Sequence, residues 1–210
     1  MIVVPPLQPA RVLVLVSGAG SNMQALVKAA EDPAWGGIIV AVGADRDCSA
    51  IEWADQRGIP SFVESLDKGA DRSCWDQALA TDMRRFEPDL VVCAGFMKLL
   101  GPAVLEAFPG RILNTHNALL PSFPGVHGPR DAVHAGVKLS GATLFFVDPG
   151  IDTGHIVAQT AVPVTFTDTA DSLLERIKVA EREQLVEAVG RLIREGWRIE
   201  DRRVDFGSGA

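Results

Sequence analysis

Arg11-Val-Leu-Val-Leu-Val16 carries five consecutive apolar residues after its arginine, and no other segment constrains the fold as much. A half-buried strand alternates apolar and polar positions, so a strand without alternation has to be covered on both faces. Helices on either side of a parallel sheet supply that cover. The chain continues accordingly: Ser17-Gly-Ala-Gly-Ser-Asn22 is a loop, and residues 23–30 have helical spacing. Short β-branched runs then keep alternating with helix-length amphipathic stretches, the pattern of βαβ units. Strands are predicted at residues 38–42, 60–63, 90–94, 112–115, 142–147 and 156–164, and helices at 50–57, 72–85, 102–107, 129–135 and 170–195. The fold class that follows is α/β, an open, mostly parallel, twisted sheet with helices on both faces. With 210 residues, 47% of them hydrophobic, and no repeat, linker or composition break, a single domain over 1–210 is expected. Its ordered core should span about 10–200. Residues 1–9 and roughly 203–210 read as loose ends, the latter because Gly-Ser-Gly-Ala buries almost nothing.

Charge and cysteine content narrow the function. Twenty Lys and Arg face 27 Asp and Glu, for a net charge of −7, and no segment gathers enough cations to neutralise many phosphates, so no nucleic-acid partner is expected. No run approaches the roughly 20 apolar residues that cross a bilayer. The first ten residues hold three prolines and no basic cluster, unlike a signal peptide. No membrane partner is therefore expected, and a cytoplasmic location is. Cys48, Cys74 and Cys93 are odd in number and form no Cys-x-x-Cys pair, which leaves a disulfide framework or a structural zinc site without support.

Three segments carry chemistry. Ser17-Gly-Ala-Gly-Ser-Asn22 is a glycine-rich turn between strand and helix, where bare backbone and the helix N-terminus can meet an anion such as phosphate. It is not the dinucleotide fingerprint, because Gly18 and Gly20 lack a third glycine at the required place. A plain structural turn is the competing reading. Asn114 and His116 stand two apart on a predicted strand, so both side chains share one face and can address one reacting atom. Asp148-Pro-Gly-Ile-Asp-Thr-Gly154 is an acidic turn after another strand. If both strand ends open on the same side, its Asp152 can orient or charge the histidine. Metal ligation by His116, Asp148 and Asp152 is the alternative, although no His pair or Glu-x-x-His spacing accompanies them.

The last helix holds an anomaly. Leu173, Leu174, Ile177, Ala180, Leu185, Ala188 and Leu192 form one apolar stripe, and Glu181 projects near its centre with Lys178 on the flank. An ionised group is seldom buried without a partner, so Glu181 belongs either to a structural ion pair or to a ligand contact.

Taken together, Ser17–Asn22, Ala94-Gly-Phe-Met-Lys-Leu-Leu100, Asn114-Thr-His116 with Leu119-Leu-Pro121 and Pro124-Gly125, and Asp152-Thr-Gly154 resemble the phosphoribosylglycinamide formyltransferases of purine biosynthesis. The resemblance runs in order from about residue 11 to about 195. It implies a Rossmann-like formyltransferase fold, 10-formyltetrahydrofolate as co-substrate and no metal. Asn114, His116 and Asp152 would act on the formyl carbon. Gly20, Ser21 and Asn22 would hold the substrate phosphate, with Lys178 and Glu181 reaching the phosphoribosylglycinamide. Folate would be held by Arg72, by Met97, Lys98, Leu99 and Leu100, by Asn114, and by Asp148, Pro149, Gly150, Ile151 and Asp152. The N-terminal half would thus bind phosphate, and the C-terminal half would bind folate and carry the chemistry. A homodimer is one assembly the resemblance allows.

Some positions depart from the family pattern. Asn117 follows the histidine where proline is common, Phe145 stands where a histidine is usual, and His155 follows Asp152-Thr-Gly154 where proline is common. Asn114 and His116 would meet an oxyanion, with Asp152 favouring the imidazolium and relaying a proton through water. Two other readings remain open. One is a different enzyme using 10-formyltetrahydrofolate, against which stands the expected lack of the extra domains that methionyl-tRNA formyltransferases and formyltetrahydrofolate deformylases carry. The other is a non-catalytic nucleotide-binding module.

Overall fold

The computed structural model describes residues 1–207. In chain order the first half holds β1 (Ile2–Val4), β2 (Ala10–Val16), α1 (Ser21–Ala30), β3 (Gly37–Ala44), α2 (Ser49–Asp55), β4 (Ser61–Val63), α3 (Arg72–Arg84), β5 (Leu90–Cys93) and α4 (Pro102–Ala107). The second holds β6 (Ile112–His116), α5 (Gly128–His134), β7 (Leu139–Phe146), β8 (His155–Pro163), α6 (Ala170–Glu195), β9 (Trp197–Glu200) and β10 (Arg203–Phe206). Seven strands form the main sheet in the order β4-β3-β2-β5-β6-β7-β8. The first five run parallel, and β7 and β8 are antiparallel.

β2 is the centre of this sheet for the reason its composition implies. Val12, Val14 and Val16 point into one apolar layer with α1, α2 and α6. Leu13 and Leu15 point into the other, with Trp75, Leu79 and Met83 of α3 and Val104 of α4. All five side chains are fully buried, each contributing roughly 1.5–3 kcal/mol of transfer free energy. The strand order reverses between β2, whose neighbour is β3, and β5, whose other neighbour is β6. A crevice opens beyond the strand ends at such a reversal, the usual ligand position in open α/β sheets.

The loose ends expected from composition are corrected. Residues 2–4 and 203–206 are strands, and with β9 they form a three-stranded antiparallel sheet ordered β1-β9-β10. Trp197 explains their order. It is fully buried, stacks on Phe146 at 5.6 Å and donates its indole N–H to the Gly110 carbonyl at 3.0 Å, so the small sheet is anchored to the main one. Residues 208–210 of the expected loose end lie outside the described residues. α6 starts on a capping box between Thr169 and Ser172 and lays Leu173, Ile177, Leu185, Val189 and Leu192 against the sheet.

Candidate active site

The crevice at the strand reversal is a cleft of about 820 Å³, lined by residues from the loop after β2, the start of α1, the end of β5 and the loop after it, β6, the loop after β7, and α6. Its floor near β2 is the start of α1. Gly20 there has φ +70°, and a Cβ on it would come within 2.7 Å of Ala50 Cβ, so only glycine fits the turn. α1 has no side-chain cap and no acidic residue in its first turn, which leaves its leading N–H groups free for an anion. Gly20, Ser21 and Asn22 all line the cleft.

Asn114 and His116 face the cleft from β6, as their spacing requires. The Asp152 loop arrives by a different route from the one expected. β7 runs antiparallel to β6, and Val147 N–H donates to the Ile112 carbonyl at the start of β6, so the loop leaves the sheet at the opposite end of that strand. It then returns along β6 until Asp152 Oδ2 lies 3.6 Å from His116 Nδ1. The same oxygen accepts the Gly125 N–H at 2.7 Å. His116 Nε2 lies 2.8 Å from the Phe123 carbonyl. A carbonyl only accepts, so Nε2 carries a proton and the ring is anchored with Nδ1 toward Asp152.

Glu181, in the centre of the apolar face of α6, is buried at 5% exposure. The structural ion pair considered for it does not form. Lys178 turns instead to Glu175 at 2.7 Å, while the Glu181 carboxylate accepts from Asn22 Nδ2 and from Asn117 Nδ2, each at 2.9 Å. With that donor committed, Asn22 Oδ1 is buried without a partner among the described residues. Lys178 and Glu181 both line the cleft.

The expected folate set divides. Met97, Lys98, Leu99, Leu100, Asn114, Gly150, Ile151 and Asp152 line the cleft, whereas Arg72, Asp148 and Pro149 do not. Arg72 Nη2 donates to the Leu99 carbonyl. Asp148 accepts from Gly150 N–H at 3.0 Å and the Thr153 hydroxyl at 2.6 Å, which folds its own loop. Asp148 is therefore drawn away from His116, and the alternative metal triad does not assemble. Among the described residues no three His, Cys, Asp or Glu side chains gather as metal ligands.

The formyl transferase family profile matches residues 10–189. The chain belongs to this family. It is 49% identical to a phosphoribosylglycinamide formyltransferase of Mycobacterium tuberculosis over 206 residues, covering 97% of this chain and 94% of that protein. A phosphoribosylglycinamide formyltransferase of Bacillus subtilis is 34% identical over 86% of this chain and 93% of its own length. Among solved structures, glycinamide ribonucleotide transformylase 1 from Symbiobacterium toebii superposes with a TM-score of 0.91 at 38% identity, covering 95% of this chain and 94% of that one.

Several residues that shape the cleft of this formyl transferase went unassigned in the sequence. Ser17 Oγ accepts the Met97 N–H at 2.8 Å and pins the 97–100 segment. Asp45, directly after β3, is buried beside Arg46 and Lys98. Burial pushes its carboxyl up, but hydrogen bonds from Arg46 and Ser17 and the charges of Arg46 and Lys98 outweigh that and hold it below the usual carboxylate range. Asp76 of α3, also buried, accepts the N–H groups of Gly101 and Ala103 at 2.6 and 2.7 Å and fixes the far end of the same segment. Phe145, opposite Asn114 on β7, lines the cleft. Asp45 and Asp76 lie in no motif, whereas Ser17 opens the glycine-rich turn and Phe145 is one of the departures from the family pattern. Asn117 did show a signal, a polar side chain immediately after the candidate catalytic histidine.

Proposed function

We propose that this formyl transferase moves the formyl group of 10-formyltetrahydrofolate onto the glycinamide amine of 5-phosphoribosylglycinamide, a step of purine biosynthesis. The observation that carries the reading is the convergence of Asn114, His116 and Asp152 in one cleft beside an uncapped helix N-terminus. The acceptor is supported by the names of relatives that match over nearly their whole lengths. A folate fits the cleft. Its volume suits a ligand of that size, and Met97, Leu99, Val126 and Ile151 expose apolar side chains along it that a flat ring system can cover.

When bound, 10-formyltetrahydrofolate supplies an electrophilic formyl carbon, and addition of a neutral amine there leaves the oxygen negative and the nitrogen positive. His116, held at Nε2 by Phe123, can donate Nδ1–H to that oxygen in its imidazolium form, and the Asn114 amide can donate beside it. Asp152 can take the proton from the nitrogen, directly or through water, and the same proton can pass to the folate nitrogen as its bond to the formyl carbon breaks and tetrahydrofolate leaves; the carboxylate charge also favours the imidazolium. The N–H groups at Gly20, Ser21 and Asn22 suit the phosphate, Lys178 adds a cation on the cleft wall, and Glu181 offers acceptors to hydroxyl or amine groups. Met97, Lys98, Leu99, Leu100, Gly150 and Ile151 suit the folate, with Arg72, Asp148 and Pro149 supporting from outside the cleft lining. Phosphate binding falls to the first half of this single domain, and folate binding and chemistry chiefly to the second. Residues 97–100 and the pair Lys178 and Glu181 cross that divide.

The formyl transferase acts on small molecules, and among the described residues no helix is long and apolar enough to cross a membrane. We assign it to the cytoplasm, without a nucleic-acid partner and with a homodimer as the assembly to be tested by sedimentation. Incubation with 10-formyltetrahydrofolate and phosphoribosylglycinamide should release tetrahydrofolate and formylated product in equal amounts. Folate release at the same rate without acceptor would mean hydrolysis, and no release with both present would overturn the assignment.

A further inference from the structure

Both oxygens of the buried Glu181 carboxylate are held by amides, and one of those amides belongs to a residue without a role in the chemistry above. Asn117 Nδ2 donates to Oε1 and Asn22 Nδ2 to Oε2, each at 2.9 Å. The Asn117 bond joins the residue beside His116 to α6, 64 positions away in the chain. The amide orientation follows from its partner, since a carbonyl oxygen turned toward Glu181 would set two acceptors against each other.

The backbone that carries this donor is itself fixed. The Asn117 carbonyl packs so closely on Gly128 that a Cβ there would come within 2.7 Å. The next carbonyl, of Ala118, accepts the Thr143 hydroxyl at 2.7 Å, and Thr143 Oγ accepts the Leu120 N–H at 3.0 Å. Asn117 therefore offers its N–H from a rigid base.

We propose that Asn117 is a positioning residue for the amine acceptor. With Asn22 it locks Glu181 in one rotamer, so that the remaining lone pairs of the carboxylate face the cleft beside His116. The inference rests on the proposed function, in which Glu181 meets a hydroxyl or amine of the acceptor. Two consequences follow from the partners being amides rather than a cation. The Glu181 side chain is ordered before the ligand arrives, which removes an entropic cost from binding. Among the described residues no lysine or arginine pairs with the carboxylate, since Lys178 pairs with Glu175, so its charge is left for a donor on the ligand.

Calorimetric titration of wild type, Asn117→Ala, Glu181→Gln and the double variant with phosphoribosylglycinamide, and separately with tetrahydrofolate, tests this. Asn117→Ala should weaken the acceptor about tenfold, the scale of one hydrogen bond to a charged group, and leave tetrahydrofolate within twofold. The double variant should bind the acceptor no more weakly than Glu181→Gln alone, because Asn117 acts through Glu181. Unchanged acceptor binding by Asn117→Ala, or losses that multiply in the double variant, would overturn the proposal. A wild type that does not bind phosphoribosylglycinamide would instead refute the function on which it rests. Should Asn117→Ala not fold, the nearly isosteric Asn117→Asp takes its place; it removes the donor and sets a carboxylate against Glu181, and should weaken the acceptor further while sparing tetrahydrofolate.

Discussion

Replacing Asp152 with asparagine removes one charge from the cleft and changes little else. Asp152 has φ +54°, in the left-handed region that asparagine also tolerates, and an asparagine Oδ1 can still accept the Gly125 N–H. What is lost is the acceptor for the amine's proton and the interaction with an imidazolium at His116, whose Nδ1 lies 3.6 Å away in a pair of side chains only 9% and 13% exposed. At an effective dielectric of about 20, two unit charges at that separation attract by about 4.6 kcal/mol. The cleft is open and the separation exceeds a hydrogen bond, so about 2 kcal/mol is a reasonable lower figure. At ~1.4 kcal/mol per tenfold, the expected fall in kcat lies between about 30-fold and about 2,000-fold. Folate release under saturation with both substrates measures it, with calorimetry checking that each still binds. If Asp152→Asn keeps kcat within about threefold of wild type at an unchanged melting temperature, the aspartate only shapes its loop and the electrostatic argument is wrong.

Three further outcomes are expected. Gly20→Ala forces a side chain into the left-handed region and against Ala50; it should cost about 3 kcal/mol and roughly 10 °C in melting temperature, with loss of acceptor binding by calorimetry. Asp168 is held well below the usual carboxylate range by the Thr165 N–H, the Ser172 hydroxyl and Arg176. Its contribution to stability is therefore complete above that range and is lost progressively as pH falls from there toward the lower native value, so urea midpoints of wild type and Asp168→Asn should differ at pH 6 and draw together as pH falls toward 2. Burial pushes the Cys93 thiol up to about 12, so it should resist alkylation at pH 8 in the native protein while the exposed Cys74 reacts; peptide mass analysis reads both, and rapid labelling of Cys93 would contradict its burial.

Local patterns carried much of this fold because they report local physics. An uninterrupted apolar strand needs two covering layers, and β2 has them. Two residues apart on a strand means one face, and Asn114 and His116 share it. The proline-led start of α4 and the long apolar stripe of α6 gave bounds of 102–107 and 170–195 that the structure repeats. The chain ends were misread for an equally physical reason: a three-residue strand such as Ile2–Val4 has no periodicity of its own and forms only because β9, nearly 200 residues later, pairs with it. Arg72, which the resemblance places with folate, donates from Nη2 to the Leu99 carbonyl, a contact across 27 positions that no local pattern marks.

What the sequence determined by itself was the class of the fold and the chemistry available: a covered parallel sheet, a glycine turn able to meet an anion, an amide and an imidazole on one face, and a carboxylate set in an apolar stripe. Each of these depends on neighbours within a few residues, where spacing alone sets direction. Tertiary structure decided which groups meet. The antiparallel course of β7 sends the Asp152 loop out at the start of β6 and back along the strand to His116. The packing of α6 delivers Glu181 to the amides of Asn22 and Asn117 rather than to Lys178. Contacts over 159 and 64 positions leave no spacing to read, because they follow from how layers pack and not from how neighbouring residues turn.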